Sequence, residues 1–426
     1  MSSLAAKSMP RSKAKAAPPA VPAVAVPDGT RSWLQWVQPL VGELPSGTTI
    51  ALPCVGANSG FRALQELGHR GVAPTHIYDI DPACRKPLEI LHGQGPQSPT
   101  FHIGPEAGDI LRVDPAGLAC PDGLLAGPPC TFVAGNGGHE PWAHSGMLVF
   151  NQVLCWIENF AQRELKFFVL ENVKGLATRY QGQASVLELA LARLQRSVPF
   201  FEIRVWRLNS KDYTLAQHRE RIYIIAMRRS VLARSGRQCI GLEPPVMPRC
   251  PLAQFLTRDA PNVYHSELAP SQQENLVAYM KLIMDYIVDP DMQGKFACFD
   301  LSRKIDAAYG PKWRVDDVVE TLTTNNTQLY IVSLGEGVQK PTVHRWLRLE
   351  ERARLQGLGP ELFAACNASQ KKTLTGNAFA VPCIGVALQF IMQVLATAAG
   401  TSDRARSRSR SPVISVHSSP EFVGID

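Results

Sequence analysis

The sequence lacks the cysteine patterns of disulfide-rich and zinc-binding proteins. Its ten cysteines form no C-x-x-C pair and no cysteine-histidine cluster at metal-ligand spacing. No apolar run is judged long enough to span a bilayer, and residues 1–30 contain no apolar signal core. We therefore expect a soluble, reduced, intracellular protein with no metal cofactor and no membrane partner.

The net charge of the central part of the chain is also small. The 426 residues are 45% hydrophobic, which predicts a substantial core and two domains plus tails, and the formal net charge is +7. Residues 1–30 contribute +3 and residues 401–426 contribute +1, which leaves +3 for the rest. Any affinity of the globular part for a polyanion must therefore come from local placement of charge.

Both ends of the chain are predicted to be disordered. Residues 1–30 consist mainly of Ala, Pro, Ser and Lys, which suits a solvated linker or an organelle transit segment. Residues 401–426 contain an alternating Arg-Ser tract, suited to phosphate polyanions or to control by phosphorylation. This tract favours a nuclear location, with an organelle or the cytoplasm as alternatives.

The central stretch of the chain runs from Asp122 to Cys130. Its apolar segment predicts a short buried strand, and Pro128 and Pro129 prevent that strand from continuing. Cys130 then lies where the chain leaves the sheet, at the edge where α/β proteins bind ligands. The loop at 131–145 is rich in turn-forming residues and is predicted to be mobile. Taken alone, Cys130 is better interpreted as an inert buried thiol, which free cysteines usually are.

An earlier strand–turn–helix unit suggests a nucleotide-type cofactor. A strand at 48–52 leads into the turn Gly56-Ala57-Asn58-Ser59-Gly60 and then a helix at 61–67. The next strand, at 76–80, ends in acids, and Asp109 follows a further glycine. A carboxylate at this distance is expected to bind a ribose. The unit predicts an adenosine-containing cofactor, although ordinary loop acids remain the alternative.

Two further strands carry charged residues at their ends. The apolar strand at 166–170 leads directly into Glu171, where burial would raise the carboxyl pKa and favour proton donation. The segment Gln217-x-Arg219-x-Arg221 opens the strand at 222–226, and alternation places its three named residues on one side. Two guanidiniums aimed together require an anion or a carboxylate.

These motifs resemble, in order, the core motifs of the C5-cytosine DNA methyltransferases. The matching stretches are Gly127-Pro128-Pro129-Cys130, Glu171-Asn172-Val173, Gln217-x-Arg219-x-Arg221, and the segments at 208–226, 345–359 and 376–388. The resemblance covers roughly residues 48–228 and 316–398. It implies transfer of a methyl group to C5 of cytosine in DNA, on a base flipped out of the duplex.

The resemblance implies a role for each catalytic residue. Cys130 would add to cytosine C6 as a thiolate, and Glu171 would hold ring N3 and recognise the exocyclic amine. Arg221 would contact the base carbonyl, while Arg219 would orient Glu171 and favour the thiolate. The loop at 131–145 would close over the base, and Trp142 would either pack against nucleic acid or anchor the loop.

The resemblance also implies S-adenosylmethionine as the cofactor. It would lie across the glycine turn with its ribose on Asp79, its adenine near Asp109 and its methionine end near Asn377. Pro129 would form the wall beside the thiol. The full set of implied cofactor-binding residues is Val55, Gly56, Ala57, Asn58, Gly60, Asp79, Ile80, Asp109, Ile110, Pro129 and Asn377.

The implied fold is α/β, a Rossmann-like, mostly parallel methyltransferase sheet whose strand at 222–226 is antiparallel, with an inserted smaller target recognition domain. The catalytic domain would comprise residues 31–228 and 316–400, and the recognition domain residues 229–315. The insert has 11 Lys and Arg against 9 Asp and Glu, so its phosphate binding should be modest. We expect a monomer.

Three other functions remain open at this stage. A transfer-RNA cytosine-C5 methyltransferase would keep the chemistry and change the polymer. A non-catalytic nucleic-acid-binding relative is suggested by the first motif, in which Leu52-Pro53-Cys54-Val55 replaces the usual Asp-Leu-Phe. A thiol hydrolase would pair Cys130 with His139 or His144, but no orienting partner stands at recognisable spacing.

Overall fold

The computed structural model describes residues 29–40, 43–93, 99–134, 141–258, 260–263, 265–306, 313–324, 329–335 and 343–409. The strands are β1 Thr49–Pro53, β2 Ala73–Asp79, β3 Phe101–Ile103, β4 Gly123–Ala126, β5 Phe167–Val173, β6 Phe201–Asn209, β7 Glu220–Arg228, β8 Phe296–Asp300, β9 Trp313–Arg314, β10 Leu329–Ser333 and β11 His344–Trp346. The helices are α1 Ser59–Glu66, α2 Arg85–His92, α3 Ser145–Ala161, α4 Val186–Ser197, α5 Arg229–Arg234, α6 Pro270–Leu282, α7 Met284–Val288, α8 Leu349–Arg354, α9 Ala368–Asn377 and α10 Val381–Ser409.

Seven strands form one large sheet in the order β3-β2-β1-β4-β5-β7-β6. The pairs from β3 to β5 are parallel, and β7 runs antiparallel to both of its neighbours. This arrangement confirms the predicted mostly parallel sheet with an antiparallel strand at residues 222–226. The strand order reverses at β1, because β2 and β3 lie on one side of it and β4 and β5 on the other. Such a switch point is where α/β sheets bind ligands.

Both faces of the large sheet are covered by helices. On β5, Phe167 and Val169 belong to the core cluster that includes α10, whereas Phe168 and Leu170 belong to the cluster with α3. Side chains alternate between the faces of a strand, so an uninterrupted apolar run can supply two cores at once. This is why these strand segments read as continuous apolar runs in the sequence.

The last helix, α10, corrects the expectation that no apolar run has membrane-spanning length. Its segment Val381–Thr401 has 21 residues and a mean hydropathy of 1.8, which is sufficient by length and composition. However, 78% of its most apolar window is buried inside the protein. The buried polar residue Gln389 of this helix hydrogen-bonds His69 and the Gln38 carbonyl, so its polar group is satisfied by other parts of the protein.

The second sheet has the order β11-β10-β8-β9 and is antiparallel throughout. One face packs with α6 and α7, while Phe296, Cys298 and Ile331 on the other face join the main core. The sheet runs to Trp346, past the boundary predicted at residue 315. At the other boundary, Val231 and Leu232 of α5 belong to the main core, although they were predicted to lie in the inserted domain.

Parts of the predicted tails and loop lie outside the described residues. These are residues 1–28 of the N-terminal tail, residues 410–426 of the Arg-Ser tail and residues 135–140 of the predicted closing loop. Residues 401–409 continue α10 as helix, although the disordered tail was predicted to begin at residue 401.

Candidate active site

Cys130 lies just beyond the carboxyl end of β4, as predicted. The strand ends at Ala126, and the Asn172 side chain donates to the Pro128 carbonyl at 3.2 Å, which holds the proline turn against β5. Gly127 is required here because a Cβ at this position would lie 2.3 Å from the Phe379 ring. The segment after α9 therefore packs directly against the turn that carries the thiol.

Glu171 lies on the neighbouring strand β5 and is buried. The Nε atom of Arg221, on β7, is 3.2 Å from Glu171 Oε1, yet this oxygen has no hydrogen bond within the described residues. Burial raises the pKa of Glu171 above its usual range, and the charges of Arg221 and Arg219 only partly oppose that rise. Protonation of Glu171, which would make it a hydrogen-bond donor, is therefore easier than for an exposed carboxyl.

Arg219 does not contact Glu171 in the predicted way. Its guanidinium donates to the carbonyls of Leu322, Gly376 and Ala378 at 2.8, 3.1 and 2.7 Å, and no hydrogen bond joins it to the carboxylate. The pKa of Arg219 is lowered to about 9, and burial is the largest of several causes. The residue acts on Glu171 through its charge, and it holds in place the segment after α9.

The thiol of Cys130 responds to the same charges. Burial is the main cause that raises its pKa, followed by the charge of Glu171, while Arg221 and Arg219 lower it. Protonating Glu171 removes the second of these causes and leaves both arginines in favour of a thiolate. The protonation states of the two groups are therefore linked.

All four predicted catalytic residues line one cavity of about 270 Å³, which we call the central cavity. Most of the predicted cofactor residues line it too: Val55, Gly56, Ala57, Asp79, Ile80, Asp109, Ile110, Pro129 and Asn377. The cavity thus brings together residues separated by more than three hundred positions in the chain. His144 is not among its lining residues and instead caps α3 by accepting from the Gly146 N–H, while His139 lies outside the described residues.

Two predicted cofactor residues do not line the central cavity. Asn58 caps α1, because its Oδ1 accepts from the Phe61 N–H, and its amide lies 3.0 Å from His92. Gly60 faces the sheet, where a Cβ would lie 3.0 Å from Leu125. Both residues help to hold the turn in place without lining the cavity. The glycine-rich pattern in the sequence therefore did not distinguish residues that contact a ligand from residues that pack within the protein. Gln217, on the same sequence motif as the arginines, is also buried away from the cavity and donates to the Leu355 carbonyl.

Sequence reasoning missed several lining residues. They include Ser59, Asp81, Cys84 and Phe379. Asp81 stood in the predicted acidic strand end, and Ser59 stood inside the predicted turn, so their positions were available as signals. Phe379 stood inside the motif segment at 376–388, so it also had a signal, whereas Cys84 offered none because its contact depends on how distant segments pack.

Asp79 has a structural task as well as a place on the cavity wall. Its carboxylate accepts from the N–H groups of Gly56 and Asp81 at 2.7 and 2.9 Å, which ties β2 to the glycine turn. Burial raises its pKa, and these two hydrogen bonds oppose the rise. Each carboxylate oxygen has further lone pairs, so binding of a ribose hydroxyl remains available.

The wall of the central cavity suits a ligand with apolar and polar parts. Val55, Ile80 and Ile110 provide apolar surface, and Asp79 and Asp109 provide acceptors for hydroxyl groups. Three buried lining residues also carry polar atoms without a hydrogen bond in the described part of the chain, namely Ser59 Oγ, Glu171 Oε1 and Arg219 Nε. Buried polar groups are normally satisfied, so these atoms fit a ligand such as S-adenosylmethionine.

Solved structures with a similar fold include a DNMT2 variant of Spodoptera frugiperda and the methyltransferase EhMeth of Entamoeba histolytica. The first has a TM-score of 0.53 and 14% identity, covering 81% of this chain and 99% of that one. The second has a TM-score of 0.50 and 12% identity, covering 82% and 98%. At this level of identity the similarity concerns the fold alone.

Among characterised relatives, the type II methyltransferase M.NgoBI of Neisseria gonorrhoeae is 35% identical over 164 residues, which is 37% of this chain and 45% of that protein. The type II methyltransferase M.HpaII of Haemophilus parainfluenzae is 35% identical over 177 residues, 40% of this chain and 44% of that protein. The chain thus matches less than half the length of either relative.

The family model for C-5 cytosine-specific DNA methylases matches residues 100–392, which confirms the resemblance carried by the motifs. The chain belongs to the C-5 cytosine-specific DNA methylase family.

Proposed function

We propose that the protein transfers a methyl group from S-adenosylmethionine to C5 of cytosine in DNA. The observation that carries this proposal is the central cavity, where Cys130, Glu171 and Arg221 share one space with the glycine turn and Asp79. A binding module has no use for a nucleophile beside a carboxyl with a raised pKa. Membership of the family agrees with this chemistry.

The cofactor would be held by the part of the cavity next to β1 and β2. Gly56 and Ala57 form the turn, Asp79 would bind the ribose, Asp109 would lie near the adenine, and Asn377 near the methionine end. When bound, S-adenosylmethionine supplies an electrophilic methyl group to the activated base.

The residues of the chain activate the base. Cytosine C5 is a poor nucleophile, so the Cys130 thiolate forms a bond to C6 and pushes the electron pair of the C5–C6 double bond toward ring N3. Glu171, whose pKa is raised by burial, donates a proton at N3, and Arg221 contacts the base carbonyl. After methylation, water takes the C5 proton, and the C6–S bond breaks as the C5–C6 double bond returns. The thiolate is released, and the N3 proton goes back to Glu171.

The target base must leave the duplex to reach Cys130, at a cost of a few kcal/mol of unstacking. The loop at 131–145 follows the thiol directly and would close behind the flipped base. Trp142 is 38% exposed, so its ring is available to pack against nucleic acid.

Trapping of the covalent adduct tests the mechanism. Duplex DNA containing 5-fluorocytosine carries fluorine in place of the C5 proton, so the C6–S bond cannot be released after methylation. Incubation with the protein and S-adenosylmethionine should give a band shift in a denaturing gel. Cys130→Ala should abolish the shift, whereas Cys239→Ala, which removes an exposed thiol remote from the cavity, should retain it. An adduct that persists without the Cys130 thiol would refute the mechanism.

The nature of the polymer needs its own comparison. Methyl incorporation into duplex DNA and into transfer RNA should be measured side by side, and greater incorporation into transfer RNA would replace DNA as the substrate. Failure of the protein to bind S-adenosylmethionine in a direct titration would leave the non-catalytic reading.

We also propose that the protein acts as a monomer in the nucleus. The four proposed catalytic residues of one chain already meet in the central cavity, so the proposed chemistry needs no residue from a second copy. The Arg-Ser tract supports the location. Light scattering of the purified protein and fractionation of the source cells test the two statements separately.

A further inference from the structure

Residues 242–251, between α5 and the buried Leu252, are rich in proline, and we call them the proline segment. Proline fixes φ near its value in a polyproline II helix, and the residue before a proline is held in the extended region. Within residues 243–251, only Val246 and Arg249 escape both restraints, because prolines stand at 244, 245, 248 and 251. Pro251 has φ −56° and ψ 143°, close to polyproline II values.

Burial repeats every three residues along the proline segment. Met247 and Cys250 are buried, whereas the residues beside them, at 245, 246, 248, 249 and 251, are exposed. A polyproline II helix has three residues per turn, so this pattern places one face of the segment against the protein and two faces in solvent.

Hydrogen bonds hold the inner face of the proline segment in place. Met247 and Cys250 donate their N–H groups to carbonyls in the loop after β6, each at 2.9 Å. The Tyr213 hydroxyl, in the same loop, donates to the Pro244 carbonyl at 2.9 Å. These three segment residues are spaced by three and lie on one face. The extended conformation is therefore preformed, and a partner would not have to order it.

The two outer faces combine apolar side chains with charge. Leu242 is 92% exposed and Val246 is 72% exposed, the two highest values among the exposed large hydrophobic residues of the described chain. Together with the exposed prolines they form a continuous apolar ridge, which is a mark of an interaction site. Arg249 is exposed and lies three residues after Val246, on the same face. The proline segment does not line the central cavity, so methyl transfer does not account for this ridge.

We propose that the proline segment docks a partner protein through an aromatic-lined groove of the kind that recognises polyproline II helices. Pro245, Val246 and Pro248 would pack against the aromatic rings, and Arg249 would pair with a carboxylate at the rim of the groove. Glu243 is also exposed and would repel phosphate, so a protein groove fits this surface better than nucleic acid. The segment would bring the protein to a partner while leaving the central cavity free.

Calorimetric titrations of the full-length protein with a panel of purified SH3 and WW modules test the proposal. We expect at least one module to bind with a micromolar dissociation constant. Val246→Asp and Pro248→Ala should each weaken that binding about tenfold or more, because they change only the outer faces. Val277→Asp and Pro270→Ala make the same changes at exposed positions of α6 and should leave binding unchanged. Arg249→Gln should weaken binding mainly at low salt.

Two kinds of result would overturn the proposal. The first is that no module binds, or that Val246→Asp and Pro248→Ala bind as the wild type does. The second is that these variants lose affinity for duplex DNA, or lose a self-association seen by light scattering, which would assign the ridge to nucleic acid or to a second copy. Melting temperatures close to that of the wild type exclude unfolding as a cause. Methyl incorporation should be unchanged in both variants, so the outcome is independent of the proposed function.

Discussion

At the scale of single residues, the electrostatic state of the site depends on Glu171 and its neighbours. Its burial outweighs the attraction of two arginines, so its pKa is raised and the neutral form is favoured. A neutral Glu171 leaves Arg219 and Arg221 without a competing negative charge beside Cys130. In the proposed mechanism, a single proton would therefore prepare both the donor at ring N3 and the nucleophile.

Replacing Glu171 by Gln should stabilise the protein while removing its activity. Between the ordinary carboxyl pKa and the raised folded-state pKa, the folded protein holds a proton that the unfolded chain has released, so stability falls as pH rises through this window. Glutamine cannot ionise, and the variant should gain about 1.4 kcal/mol at pH 8 for each pKa unit of the shift. Denaturant unfolding at pH 4 and pH 8 measures the difference. A variant less stable than the wild type at pH 8 would contradict this account.

At the scale of elements, one buried carboxylate joins the start of β8 to the segment around Leu252. Asp317 accepts from the Leu252 N–H at 2.9 Å and from the Phe296 N–H, at the start of β8, at 3.2 Å. Burial raises the pKa of Asp317 to about 6. The residue therefore joins the second sheet to the segment that packs on the main core.

Asp317→Asn should alter the pH dependence of stability. The folded-state pKa is raised, so the wild type loses stability as pH increases from about 4 to about 6, and the asparagine variant should lack this slope. Its amide offers one acceptor oxygen instead of two, so at neutral pH it should also lose about 1–3 kcal/mol from an unpaired buried N–H. Thermal unfolding across this pH range is the measurement. An unchanged slope would show that another group titrates.

The loop element after Cys130 provides a prediction about base flipping. Trp142→Ala removes a partly exposed ring and, like most surface changes, should shift the unfolding free energy by no more than about 0.5 kcal/mol. We expect it to lower turnover on duplex DNA, and to lower it less on DNA whose target cytosine is mispaired and flips more easily. Fluorescence of a base analogue at the target position reports flipping. If flipping and turnover match the wild type, Trp142 only anchors the loop.

At the scale of the whole molecule, cofactor binding and folding should be linked. The central cavity collects residues from β1, β2, β4, β5, β7 and the segment after α9, so a ligand there contacts parts of the chain that separate on unfolding. Mass action then stabilises the folded state in proportion to the logarithm of ligand concentration.

S-adenosylmethionine at about one hundred times its dissociation constant should stabilise the protein by about 2.7 kcal/mol and raise the melting temperature. The increase should grow with ligand concentration, and Cys130→Ala should keep it, because the thiol acts on the base. Differential scanning fluorimetry gives the curve. A melting temperature unaffected by the ligand would contradict the cofactor assignment.

The sequence by itself determined the strands that carry the site and the order of the motifs. Apolar runs such as the one at 166–170 predict buried strands, and the proline turn before Cys130 predicts where its strand ends. Local patterns also placed Cys130, Glu171 and Asp79 each at the end of a strand, which needs only neighbouring residues and a general rule of sheet geometry. That these residues share one site was implied by the family resemblance.

The tertiary structure alone decided which polar groups meet. Arg219 donates to carbonyls more than one hundred positions away, Asn58 caps a helix instead of lining the cavity, and Ser59 lines it. It also decided that the second sheet extends past residue 315 and that the apolar helix α10 is a core element. Hydrogen-bond partners and burial depend on how distant segments pack, and local sequence patterns do not predict that packing.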